Sequence, residues 1–277
     1  MKIAFNILPV ITDYEQLHLL VETGSYGISF VWFTKDPYNI GGIAVYNSTE
    51  GMLREDMAAE IENILQSGPV FKKHCASVTL CYDFKESLLV PETYYDPLTA
   101  AGMLNLVYAT DAASSFKTET IKRYHINNVY VVDKKIDDIL SGHFPGATVH
   151  HATSLQLEKV LPADKFLHCI FFHNSIKVFM FNGPALQLVQ QFNYNTPVDA
   201  AYHLMNCCEQ YNLKPAEVKL SLSGMIDEKS KLYTELYGYF LNIEFEKSDS
   251  SIQLHDRIKF YPSHFFSHLT GLASCVS

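Results

Sequence analysis

No stretch of this chain reaches the ~20 consecutive apolar residues that a bilayer-spanning helix needs. The apolar run near the N-terminus, Ile3 to Ile11, is broken by Asn6 and Pro9 and is too short for a secretory signal with its flanks. A soluble, cytoplasmic protein is therefore expected. A concentrated basic face is missing too. The net charge is -9 with His neutral, and the longest basic clusters are pairs such as Lys72-Lys73 and Lys134-Lys135. Binding to a phosphate backbone needs such a face, so nucleic acid is not expected as a partner. The six cysteines contain no C-x-x-C pair, and Cys207-Cys208 are adjacent, too close for an ordinary bridge. That usage fits a reducing compartment and excludes a disulfide framework. Also lacking are G-x-S-x-G, G-x-x-x-x-G-K-[ST] and G-x-G-x-x-G, which removes the common serine-hydrolase, P-loop and Rossmann signatures.

What is present is a large apolar and aromatic complement. The 277 residues are 48% hydrophobic and 18% charged, with 18 Phe and 17 Tyr beside one Trp, enough to bury a substantial core. Apolar strands are read at Leu17–Glu22 and Ile28–Phe33 about a turn, followed by a third at Ile40–Tyr46. Gly51–Gln66 has helical periodicity and stops at Gly68-Pro69, and Ser77–Tyr82 is a strand again. The second half repeats the order. Phe166–Phe172 and Ile176–Phe181 flank the turn His173-Asn174-Ser175, Leu186–Phe192 is a third strand, Pro197–Tyr211 a helix capped by Thr196, and Val218–Leu222 a strand. Between and after these, Ser87–Pro91 is expected to pair with Ser77–Tyr82, and Asn128–Val132, Thr148–His151 and Asn242–Phe245 are strands. Asp96–Tyr108, Lys135–Leu140, Ala152–Leu161 and Glu228–Phe240 are read as helical. Two α/β lobes follow, 1–161 and 162–277.

A duplicated unit of three antiparallel strands, a helix and a further strand resembles the actin-like ATPase superfamily, the duplicated ribonuclease H-like fold of sugar kinases, Hsp70 and actin. The resemblance implies two lobes, each with a mixed five-stranded sheet and flanking helices. It also implies that the first hairpin turn of each lobe held phosphate, usually as Asp-x-Gly with small polar residues after it. Glu22-Thr23-Gly24-Ser25 stands at that place in the first half, with Glu for Asp. His173-Asn174-Ser175 stands there in the second, with neither acid nor glycine. Ser223-Gly224, ending the strand VKLSLSG, is similar to the turn that approaches adenosine. The opening YEQLHLLVETGSYGISFVWF and the ending YPSHFFSHLTGLASC resemble a bacterial family of unknown function, known mainly from the Bacteroidota and assigned to this fold.

The candidate nucleotide site is therefore Glu22, Thr23, Gly24, Ser25, Gly27, His173, Asn174, Ser175, Ser223 and Gly224. In one reading Gly24 and Gly27 admit phosphate to the backbone, with Ser25 and Thr23 as hydroxyl donors and Glu22 beside a Mg²⁺ ion. In the other, the glycines serve a hairpin turn, Glu22 is solvated, and the bulky Tyr26 would crowd a triphosphate. Asp227 is expected to cap the helix that follows Gly224. His264-x3-His268 has the spacing of helix-borne zinc ligands but no third partner, and no metal is expected. The acid pairs Asp137-Asp138 and Glu244/Glu246 read as solvated faces. The incomplete acid pattern points to a non-catalytic pseudo-ATPase that binds an unidentified protein partner, with ATP and Mg²⁺ not required. A nucleotide-dependent ATPase or kinase is the alternative.

Overall fold

An N-terminal strand, β1 (Lys2–Ile7), precedes the hairpin β2 (His18–Gly24) and β3 (Gly27–Lys35), and β4 (Tyr38–Asn47) lies antiparallel beside β3. In the computed structural model, which describes residues 1–10, 13–109, 115–247, 249 and 251–276, the first half continues through eight further elements. These are α1 (Arg54–Ser67), β5 (Ser77–Asp83), β6 (Ser87–Pro91), α2 (Ala100–Val107), β7 (Ser115–Ile121), β8 (Ile126–Val132), α3 (Lys134–His143) and β9 (Thr148–His151). After α4 (Ala152–Lys159), the second half runs β10 (Phe166–Phe171), β11 (Ser175–Asn182), β12 (Ala185–Asn193), α5 (Pro197–Gln210), β13 (Lys219–Gly224), α6 (Lys231–Tyr237) and β14 (Asn242–Phe245). β15 (Gln253–Leu254), α7 (Asp256–Lys259) and α8 (Ser267–Cys275) follow. None of the helices among the described residues is long and apolar enough to cross a membrane.

The chain divides into two units. One is Met1–Lys159 with Ser251–Ile258 and Leu272–Ser277, and the other is Val160–Ser250 with Lys259–Gly271. Whereas the sequence suggests one boundary at 161/162, here two late segments group with the first unit.

Each unit contains the same mixed five-stranded arrangement. In the first, β4-β3-β2-β5-β9 has two antiparallel pairings followed by two parallel ones, and in the second β12-β11-β10-β13-β14 repeats that pattern. The central strands are buried on both faces, which is why they read as unbroken apolar runs and not as alternation. The duplication extends to an irregularity. The register of β3 on β4 slips so that Gly41 is the extra residue, and that of β11 on β12 slips at Gln187. Matching the ladders about the two hairpins puts Gly41 and Gln187 at the same place, so both lobes carry one bulge in the same strand. In the first unit the outer edge of β4 is further covered by β1, antiparallel, and by β15, parallel.

Local chemistry explains the helix limits. α1 buries Met57, Ala58, Ile61, Ile64 and Leu65 against the sheet, and its N-cap Leu53 makes no side-chain bond. α5 starts in a capping box: the Thr196 hydroxyl accepts from Asp199 N, and the Asp199 carboxylate accepts from Thr196 N at 2.8 Å. α6 begins at Lys231 and not at Glu228, because Ser230 is its cap and accepts from Tyr233 N at 3.1 Å. Asp227 instead accepts from Lys229 N at 2.7 Å, an Asx turn ahead of the helix.

One expected pairing is corrected. β6 does not extend the large sheet beside β5. It pairs antiparallel with β8, which also pairs with β7, in a separate three-stranded sheet. A short loop links β5 to β6 in sequence, but the ladder partner comes from a distant strand. The core of the first unit gathers Val21, Phe30, Trp32, Ile61 and Phe71, and that of the second gathers Cys169, Val178, Leu204 and Leu222.

Candidate functional site

β2 carries Glu22, Thr23 and Gly24 to the tip of the first hairpin. Gly24 pairs with Gly27 around the turn Ser25-Tyr26, and on its other side it pairs with Asp83 at the end of β5. Gly27 has φ +139°, and a Cβ there would meet Tyr46 O at 2.0 Å, so only glycine fits. Gly24 is needed for a different reason. A Cβ on it would lie 2.6 Å from Asp83 O and 2.7 Å from the Tyr26 ring, which is packed back against the strand end.

Tyr26 is almost fully buried and its hydroxyl donates to Asp83 Oδ2 at 3.1 Å. Burial, the Asp83 carboxylate and the Glu22 carboxylate together push its phenol well above the usual range. Glu22 itself is 0% exposed, which corrects the expectation of a solvated acid. In the sheet it lies between β3, with Ser29 opposite, and β5, with Cys81 opposite. The turn is tied down further. Ser48 donates through its amide to Tyr26 O (2.8 Å) and through its hydroxyl to Ser25 O (2.9 Å), and Thr23 Oγ1 donates to Gly27 O (3.2 Å). Of the turn residues only Ser25 is exposed. Asp83 and Ser48 are the members that sequence reasoning missed. Both enter through strand register, and no local motif marks them.

In the second unit the corresponding turn is His173-Asn174, closed by Phe172 N donating to Ser175 O at 2.8 Å. Tyr194 holds it, its amide donating to Asn174 O (3.0 Å) and its hydroxyl to Phe172 O (2.8 Å). Burial raises that phenol to about 12. His173 and Asn174 are half-buried; Ser175 is buried and accepts from Gln191 Nε2 at 3.2 Å. Ser223 is fully buried, and Gly224 has φ +80° with Phe171 O only 2.2 Å from where a Cβ would sit. Phe171 pairs with both Ile176 and Gly224, so the two candidate segments of this unit meet at one end of β10.

The matched ladders identify what the second unit has in place of the buried acids. Ile170 stands where Glu22 does, Asn174 where Tyr26 does, and Met225 where Asp83 does. Among the described residues the acid–phenol–acid cluster belongs to the first unit alone.

Other candidates have local partners. His264 lies in a 3-10 turn, Ser263–Phe265, while His268 lies in α8, so the pair is not on one continuous helix. His264 Nε2 pairs with Ile226 O at 2.8 Å and its ring stacks on Phe245, and His268 meets the Phe172 ring edge-on. Among the described residues no group of three or more His, Cys, Asp or Glu is placed to hold a metal. Of the acid pairs, Asp138 and Glu244 are exposed as expected, whereas Asp137 and Glu246 are half-buried. Tyr82 OH donates to Asp137 Oδ1 at 2.6 Å, Lys219 bridges to Glu244 at 2.7 Å, and Ser267 donates to Glu246 at 2.5 Å. A further polar cluster joins the small sheet to β9. Burial alone would raise the Glu119 carboxyl, but bonds from His150, Ser154 and the His151 amide hold it below the usual range.

The fold and the two hairpin turns define an actin-like ATPase architecture, and solved structures agree. A Bacteroides thetaiotaomicron protein with actin-like ATPase fold and unknown function superposes with TM-score 0.76 at 15% identity, covering 96% of this chain and 99% of that one. A chain of the PilM-PilN type IV pilus biogenesis complex superposes with TM-score 0.62 at 13% identity, covering 96% and 100%. No curated protein matches the sequence. Residues 10–243 match the family described as protein of unknown function (DUF3822), and the chain belongs to that family.

Proposed function

We propose that this protein is a non-catalytic actin-like scaffold of the cytoplasm, a pseudo-ATPase that works by binding a protein partner. The observation that carries this reading is the position of Tyr26. Its ring lies against Gly24, at the place where the fold family would bring phosphate to the backbone, and its hydroxyl is held by the buried Asp83. A turn filled in this way argues against Mg-ATP as a ligand. The carboxylates that would face a metal are buried, Glu22 fully and Asp83 almost fully. The second turn supports the same reading, since Ile170 and Met225 replace both acids.

Support for a partner-binding role is more general. One neighbour of this fold is a component of a protein–protein complex, PilM-PilN, and that role is extended here to this chain without its partner's identity. Six free cysteines, none bridged, support a reducing compartment.

The alternative, a nucleotide-dependent ATPase or kinase, draws on the two acids of the first unit. Measuring phosphate release and ADP formation from Mg-ATP separates the readings. A scaffold shows background rates for the parent and for Glu22→Gln alike. Turnover by the parent that Glu22→Gln or Asp83→Asn abolishes would establish the enzyme instead.

A further inference from the structure

The two units differ at one edge of their sheets. In the first, β1 lies antiparallel along β4 and covers Ile43 to Asn47, with Ile7 opposite Ile43 and Lys2 opposite Asn47. In the second, the matching strand β12 ends the sheet, and among the described residues no strand pairs with its outer side. The hairpin ladders equate Ile43, Val45 and Asn47 with Val189, Gln191 and Asn193, so the stretch that β1 covers in one lobe is open in the other.

The limits of the open stretch are visible in its hydrogen bonds. At one end the carbonyl of the bulge residue Gln187 accepts from Tyr211 OH at 2.9 Å, and at the other the Asn193 carbonyl pairs with His203 Nε2 at 3.1 Å. Tyr194 N donates to Asn174 O, which sets the alternation of the ladder. By that alternation Leu188, Gln190 and Phe192 turn their backbone groups toward β11, and Val189 and Gln191 turn theirs outward. Leu188 and Phe192 pack on the core of the unit. Exposed strand edges in monomers are ordinarily blunted by charge or proline. Here no charged residue occurs from Val178 to Val198, and no proline lies within β12.

We propose that this edge pairs with the same edge of a second copy of the chain, joining two five-stranded sheets into one. The occupant follows from charge and self-complementarity. The chain carries a net charge of -9, so two copies repel over most approaches, but an uncharged edge meets its own copy without like charges opposed. Antiparallel pairing about Gln190 places Val189 of each copy opposite Gln191 of the other, so the outward amides and carbonyls satisfy one another. The same register sets Leu188 opposite Phe192, apolar against apolar. A two-fold axis through Gln190 generates this closed dimer.

Sedimentation equilibrium of the full chain tests it, with two variants. Val189→Pro removes an outward amide at an edge position where proline is tolerated. Gln190→Lys sets two like charges together on the axis. The parent is expected at twice the 31.4 kDa chain mass, and both variants at the single mass with parental circular dichroism. Slow exchange of the Val189 and Gln191 amides in the parent, fast in Gln190→Lys, would place the contact. A parent that stays monomeric up to about 0.1 mM overturns the proposal. So does a dimer that survives both substitutions, or one in which those amides exchange freely.

Discussion

At Tyr26 a phenol sits beside two buried carboxylates, Asp83 and Glu22. A buried carboxylate that loses a donor keeps its desolvation cost, so Tyr26→Phe is expected to destabilise the protein by about 1–3 kcal/mol. Urea unfolding of the two proteins measures it, and an unchanged midpoint would mean that Asp83 does not depend on the hydroxyl. A second residue sets a pH dependence. His168, buried in β10 between the Phe166 and Phe179 rings, has its imidazole pKa lowered by burial, with Glu246 opposing. The folded state thus resists protonation while the unfolded chain accepts it. The stability involved is full above the ordinary imidazole value of about 6.5 and is lost as the pH falls from there toward the depressed folded value. His168→Phe should therefore make the decline in stability between about pH 7 and pH 5 shallower.

Among the elements, the helix starts offer the cleanest comparison. α5 has a full capping box and α1, its counterpart in the first unit, has none. Thr196→Ala is expected to cost about 1 kcal/mol, and Leu53→Ser, at an exposed N-cap, to add a few tenths of a kcal/mol or more; thermal unfolding reads both. Elements were legible in the sequence where their signal was local. Pro197 after Thr196 marked a helix start, and apolar runs such as FLHCIFF marked strands buried on both faces. Pairing is not legible, because it is set by distant partners: β6 follows β5 in sequence but pairs with β8. β7, with Lys117 and Glu119 within it, hides its strand character because it lies in a small sheet and is only partly buried. The candidate site divides the same way. Glycines at 24 and 27 and a crowding Tyr26 were readable, whereas the burial of Glu22 and the arrival of Asp83 required the parallel register of β2 on β5.

For the whole molecule, two lobes with one strand order and one shared bulge have diverged in what their turns contain. The first has two buried acids beside its own tyrosine, and the second has Ile170 and Met225 in their places. An actin-like chain altered in this way should be indifferent to nucleotide. The thermal unfolding midpoint with and without millimolar Mg-ATP is the most direct test. A ligand at 100 times its Kd would stabilise the folded state by about 2.7 kcal/mol, a shift of several degrees. The filled first turn predicts an unchanged midpoint. A reproducible rise with Mg-ATP, retained at physiological salt, would contradict it.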